Sequence, residues 1–311
     1  MNSRPLEHHP SRAARMLMDG CYYRLLESVP PLRWPACKVA QCLSFAGASS
    51  WRKSLTFNAG LALGPKSSQF ERTRCAFQMM GSMQRFIAEV FASRNESPEA
   101  LRARVTRFEG TASYLEARSL RRGVVLAGIH MGPFEPALAT LCGIERRVHV
   151  LFQTDSMPRF ERARSGLRAR LGVVEHHLSD GVGAWSALLD ALRNDEAVLV
   201  LGDRVMPGQA GVEMRFLGFD RAVLPAGVLR LAASHGTPIV PTYSVREANG
   251  IRVWSDPYIP TSIERLTASA VATHPAQHAL IASMERAIRT HPAQWMAFHE
   301  LRPVDLQERR R

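Results

Sequence analysis

The stretch Gly123-Val124-Val125-Leu126-Ala127-Gly128-Ile129-His130-Met131-Gly132-Pro133-Phe134-Glu135 decides the reading of this chain. It opens on a short apolar run bounded by turn residues, the pattern of a buried strand. His130 therefore stands where a strand ends. Gly132-Pro133 turns the chain, and Pro133 or Pro136 suits the first turn of a following helix. Glu135 would then lie at the start of that helix. A carboxylate bonded to one imidazole nitrogen orients the ring and stabilises its protonated form, which leaves the other nitrogen to accept a proton from a substrate. Five residues of separation do not align on a regular helix, where neighbours are three or four apart. The pairing of His130 with Glu135 depends on the turn.

Outward from this stretch, strands and helices alternate. Strands are expected at 104–108, 123–129, 148–152, 197–201, 212–216, 238–245 and 251–255. Helices are expected near 111–119, 134–142, 157–171, 181–193 and 224–235, with further helix near 265–289 and 294–308. Alternation of this kind predicts an α/β fold: a layered central sheet flanked by helices, with a helical C-terminus. Residues 1–104 read as a mostly helical N-terminal region packed on the core formed by 105–311, with helices near 11–28, 36–48, 50–62 and 67–95. In the last of these, Phe70, Phe77, Met80, Met83, Phe86, Ile87, Val90 and Phe91 recur at helical spacing, as expected of a core-facing stripe. The same stripe could line an acyl chain or lie on a membrane.

The chain of 311 residues carries a formal net charge of +12. Lys38, Lys53 and Lys66 are its only lysines, so arginine supplies nearly all of the positive charge. Such a balance attracts anionic membrane surfaces, acidic carrier proteins or nucleic acid. The five cysteines are odd in number and match no metal spacing, so thiols in a reducing compartment are expected. No apolar run reaches the ~20 residues that span a bilayer, and Met1–Arg15 has no apolar signal core. A cytoplasmic protein is expected. Gly181-Val182-Gly183 lacks the context of a dinucleotide site, no G-x-S-x-G elbow occurs, and Glu175-His176-His177 reads as an exposed loop rather than a zinc site.

H-x-x-x-x-[D/E] after an apolar strand resembles the signature of the lysophospholipid acyltransferase superfamily, in particular its lipid A late-acyltransferase branch, where H-x-G-N-W-E is common. This chain has His130, Gly132 and Glu135, with Pro133 for Asn and Phe134 for Trp. The resemblance continues in order. Ala197–Leu201 followed by Gly202-Asp203-Arg204 is similar to a second strand ending in Asp-Gln. Met214-Arg215-Phe216-Leu217-Gly218 is similar to a Phe-Phe-Gly turn. Residues 227–241 are similar to the following helix and strand, and His291-Pro292-Ala293-Gln294-Trp295 to a closing His-Pro-x-Gln-Trp. Together these blocks span roughly residues 105–300.

The resemblance implies an acyltransferase. It would move an acyl group from an acyl carrier protein thioester, or a coenzyme A thioester, to a hydroxyl or amine of a lipid or glycolipid-like acceptor. His130 would be the general base and Glu135 its orienting carboxylate. The acyl thioester is a co-substrate, and no cofactor or metal is implied. Backbone amides from Gly132 to Phe134 are candidate donors to the developing oxyanion, except at Pro133, which has no N–H. Asp203 and Arg204, at a strand end, are candidate substrate-binding residues, because ligands favour the carboxyl ends of strands. Arg170, in the basic helix 159–170, could hold a phosphate, a membrane or a carrier. Relatives often carry Arg where this chain has Gln153, and Gln where it has Arg204. The resemblance also implies peripheral contact with an anionic membrane, on the cytoplasmic face of the inner membrane. Two other readings remain: a non-catalytic lipid- or carrier-binding member of the fold, and a basic nucleic-acid-binding protein. The second lacks any recognised motif, so nucleic acid is not an expected partner.

Overall fold

The computed structural model describes residues 18–206, 209 and 211–301. Among these, five α-helices precede the sheet: α1 (Tyr23–Ser28), α2 (Arg33–Gly47), α3 (Ser49–Leu63), α4 (Gln69–Ser93) and α5 (Pro98–Ala103). Then β1 (Val105–Glu109), α6 (Thr111–Ser119), β2 (Val124–Gly128), α7 (Phe134–Ile144), β3 (Val148–Phe152), α8 (Pro158–Leu171), β4 (Val174–His177), α9 (Val182–Arg193) and β5 (Ala197–Leu201) alternate. A hairpin of β6 (Gly211–Phe216) and β7 (Phe219–Pro225) leads to α10 (Gly227–Ala233), β8 (Ile239–Glu247), β9 (Gly250–Ser255), α11 (Ala268–Thr273) and α12 (Pro275–Thr290).

The seven-stranded sheet runs β1-β9-β8-β2-β5-β3-β4, and β6 pairs only with β7. All pairings in the large sheet are parallel except β8 with β9. Parallel strands are covered on both faces, which is why β2 and β5 read as unbroken apolar runs. Side chains alternate across the sheet. Val125, Ala127, Val198 and Val200 enter one cluster with Leu188 of α9, Met284 of α12, Leu55 of α3 and Met79 of α4. Val124, Leu126, Ala197 and Leu199 enter another with Leu138 of α7 and Leu167 of α8. The long apolar helix α4 thus buries most of its stripe as core, although Phe70 at its start is exposed. Its start is fixed by a capping box, in which Ser68 Oγ accepts from Glu71 N and Glu71 Oε2 accepts from Ser68 N.

The layered α/β fold expected from the alternation is found. Glu175-His176-His177, expected as an exposed loop, is the edge strand β4. There the His176 ring stacks on His149, whose Nε2 meets Glu196 Oε2 at 2.7 Å. β7 was not expected at all. It follows a two-residue turn in which Leu217 and Gly218 both have positive φ, the requirement of a tight hairpin. Helix was expected from residue 294 to 308, yet a single 3-10 turn, Pro292–Gln294, is followed by residues 295–301 without helix. The rest of that span, Met1–Arg15 and the start of the helix expected from residue 11 lie outside the described residues.

Candidate active site

β2 and β5 are adjacent and parallel, with Gly128 opposite Leu201. Two residues beyond each strand end stand His130 and Asp203. The Asp203 side chain accepts from the His130 main chain at 3.1 Å and meets the ring nitrogen Nδ1 at 2.8 Å. Trp295 Nε1 donates at 2.9 Å to Oδ2, the oxygen that also accepts the main-chain bond, while the ring meets Oδ1. Asp203 is completely buried. Burial pushes its pKa up, but the His130 ring and the converging N–H donors outweigh that and hold it down to about 2. The charged carboxylate fixes a His130 tautomer with Nδ1–H donating, so Nε2 is left as the acceptor.

The carboxylate on the ring is thus Asp203, not Glu135 as the sequence led us to expect. Glu135 is the second residue of α7 and is buried. Its Oε1 has no hydrogen-bond partner among the described residues. Burial raises its pKa, opposed by the nearby Arg168 and Arg164. Asp203 was expected as a substrate contact; it is instead fully buried, bonded to Trp295 and His130.

The loop that carries His130 is clamped by the closing block. Met131 and Trp295 form a β-bridge, Met296 N donates to His130 O at 2.7 Å, and Gly132 N donates to Gln294 O at 3.2 Å. The Gln294 side-chain amide completes the clamp on β8, accepting from Arg246 N and donating to Arg246 O. Gly132 has φ +61°, and a Cβ there would lie 2.1 Å from Ser244 O. Only glycine fits this close approach.

His130, Gly132, Phe134, Glu135 and Arg204 line one cavity of about 440 Å³. Its walls include Phe152 of β3, Arg164 and Arg168 of α8, and Met83 and Phe86 of α4. Arg168 is buried, with its guanidinium carbon 3.2 Å from the centroid of the Phe152 ring and Nη1 3.2 Å from Glu175. Burial and the neighbouring Arg164 lower its pKa to about 10, still charged near neutrality. Arg170 is not brought to this cavity. Its guanidinium donates to Ser93 O at the end of α4 and to Gly166 O of α8, because it is two residues from Arg168 and so points away from it.

Sequence reasoning missed His299. It lines the cavity, and Asn58 of α3 holds its carbonyl at 2.7 Å and that of Ala297 at 2.9 Å. Both ring nitrogens are shielded from solvent, and neither makes a hydrogen bond of good geometry among the described residues. Burial, with Arg204 beside it, drives its pKa down to about 3, so the ring is neutral. A second, smaller apolar cavity of about 60 Å³ lies between the sheet and α7 and shares Ile129, Met131, Phe134 and Leu201 with the first. No group of three or more His, Cys, Asp or Glu that could hold a metal occurs among the described residues.

A tautomer-locked histidine on the wall of a cavity lined mostly by apolar side chains suits proton abstraction from a substrate that also carries a hydrocarbon part. No curated protein gives a significant match to the chain. The family model of the bacterial lipid A biosynthesis acyltransferases matches residues 28–301, a span that holds the His130 loop, Asp203 and the closing clamp, and the chain belongs to that family of acyltransferases.

Proposed function

We propose that the protein transfers an acyl group from the thioester of an acyl carrier protein, or of coenzyme A, to a hydroxyl or amine of a lipid or glycolipid-like acceptor. The observation that carries this reading is the 2.8 Å contact of His130 Nδ1 with buried Asp203 at the wall of the large cavity. His130 Nε2 takes the acceptor's proton as its oxygen or nitrogen attacks the thioester carbonyl. The carbonyl electron pair moves onto oxygen. When the tetrahedral species collapses, the C–S bond breaks, and the leaving thiolate takes the proton from His130. No covalent enzyme intermediate is needed.

The oxyanion requires a donor. Gly132 N–H is already given to Gln294 O, and Pro133 has none. Phe134 N–H, at the first position of α7, remains, and the helix N-terminus adds its favourable dipole. Glu135 sits apart from the ring and beside Arg168. Its role in this reading is to shape the cavity wall and the charge of the two arginines, with Asp203 in the orienting role. The lipid acceptor and the basic charge support a peripheral position on an anionic membrane, on the cytoplasmic face of the inner membrane.

The test is thioester consumption by the purified protein with lauroyl-carrier protein or lauroyl-coenzyme A as donor and a detergent-dispersed bacterial lipid extract as acceptor, measured as free thiol. His130→Ala should lower the rate by about 10²–10⁴-fold with the fold retained by circular dichroism. Turnover equal to wild type in that variant would refute the base. A wild-type chain that binds both thioesters without consuming them would favour a non-catalytic member.

A further inference from the structure

No helix of the described residues is long and apolar enough to cross a membrane, yet one face of α2 is unusually apolar for a surface. Trp34, Lys38 and Cys42 form one row, and Pro35, Val39, Leu43 and Ala46 the next; all are exposed. They recur at the three- and four-residue spacing of a single helix face. Val39 is 58% and Leu43 68% exposed. The turn before the helix adds exposed Val29 and Leu32. The opposite face is committed to α4: Cys37 Sγ donates to Gln84 O and Gln41 Nε2 to Phe77 O. The outward orientation is therefore fixed. None of the exposed residues lines either of the two cavities described above.

Charge selects what covers it. From Ser28 to Phe70 the chain has no Asp or Glu, and it holds five cations there, including all three lysines. Arg33 and Arg52 turn inward onto carbonyls. Lys38 and Lys53 are exposed, as is Arg85, whose guanidinium lies 6.0 Å from the Trp34 ring. Apolar side chains flanked by cations, with a tryptophan among them, match the boundary between acyl chains and anionic headgroups.

We propose that this face of α2, with the Val29–Leu32 turn, is the surface on which the protein lies on an anionic lipid bilayer. The proposal rests on the reading of a lipid acceptor and names the surface that reading leaves open. It also sets the active site's distance from the lipid. α2 packs on α4, and α4 presents Met83, Gln84, Phe86 and Ile87 to the cavity. The cavity then lies behind two helix layers, α2 and α4, from the bilayer.

The experiment is cosedimentation of the full chain with vesicles of phosphatidylglycerol and phosphatidylcholine in equal parts, compared with phosphatidylcholine alone. Wild type should bind the anionic vesicles, more weakly at high salt. Val39→Glu with Leu43→Glu should weaken binding at least tenfold, and Lys38→Glu less. Val182→Glu, at an exposed apolar residue of α9, should bind as wild type. Thioester consumption with a detergent-dispersed lipid acceptor and no vesicles should be equal in all four proteins. Equal vesicle binding by the double variant and wild type overturns this surface while the peripheral reading stands. No binding by wild type overturns both. If light scattering shows that wild type is a dimer and the double variant a monomer, a second copy covers the face and the proposal fails.

Discussion

The Nδ1 of His130 rests on the carboxylate of Asp203, 73 residues further along the chain, at 2.8 Å. The contact follows from sheet register: with Gly128 opposite Leu201, positions two residues past each strand end face one another.

Asp203→Asn should therefore cost about 10²–10⁴-fold in kcat with lauroyl-carrier protein. An amide must turn its NH2 either to the Trp295 N–H or to the His130 ring. The second choice flips the imidazole tautomer and protonates Nε2, so the base is lost. Stability should change as well. The Asp203 pKa of about 2 lies below its ordinary 3.8, so its contribution, about 2 kcal/mol, is complete above pH 4 and is lost as pH falls toward 2. Urea melts of both proteins between pH 7 and pH 3 should show wild type losing its advantage at the acid end. A gap that widens on acidification would contradict the assignment.

Glu135→Gln should behave in the opposite sense. Burial raises the Glu135 pKa, so its ionisation opposes folding as pH rises above the ordinary carboxyl range. An isosteric amide removes that cost. The variant should melt at or above the wild-type temperature at pH 7, and its advantage should shrink as pH is lowered. Its kcat should fall less than that of Asp203→Asn. A larger kcat loss in Glu135→Gln would return the orienting role to Glu135.

The sequence carries the strand–turn–helix around His130 because each of its signals is local: an apolar run, Gly132, Pro133 and a helix start. β4 was not legible, because Val-Glu-His-His at a sheet edge lacks the apolar alternation of a half-buried strand. The partner of His130 was not legible for a different reason. Asp203 was visible at a strand end, but which strands are neighbours is a tertiary fact, and the nearer carboxylate, Glu135, took the role by proximity. Trp295 and His299 reach the site through a segment expected as helix. The signal that could have placed them was Gln294-Trp295 itself, a side-chain amide and an indole donor just past a helix end, where Gln294 bonds Gly132 and Arg246 and Trp295 bridges Met131 and donates to Asp203.

Asn58→Ala tests that segment. One side-chain amide holds the carbonyls of Ala297 and His299, and Asn58 is fully buried. Its loss leaves two acceptors unsatisfied, at about 1–3 kcal/mol each before relaxation. The variant should lose about 2–3 kcal/mol of stability in urea. At a temperature where it is still folded, kcat should fall, because the same segment carries the Trp295 donor to Asp203 and the clamp on His130. Normal kcat in the folded variant would show that the clamp at Gln294 and Trp295 holds without Asn58.

Arg204 is the substitution that separates this chain most clearly from the Asp-Gln pattern it resembles. It directly follows the orienting aspartate, lines the cavity with His130, and its charge acts on both His299 and Asp155. A guanidinium binds phosphate or carboxylate through two parallel hydrogen bonds, which glutamine cannot reproduce. Arg204→Gln should raise KM for the anionic substrate, donor or acceptor, by at least about tenfold, with a smaller fall in kcat. A contact sealed from solvent in the complex would cost about 2–5 kcal/mol, and one at the open rim about 1 kcal/mol or less. The measurement varies each substrate in turn against wild type. A rise for the carrier-linked thioester assigns Arg204 to the donor's phosphate, and a rise for the lipid assigns it to the acceptor headgroup. Unchanged constants for both would leave its charge acting only within the protein, on His299 and Asp155.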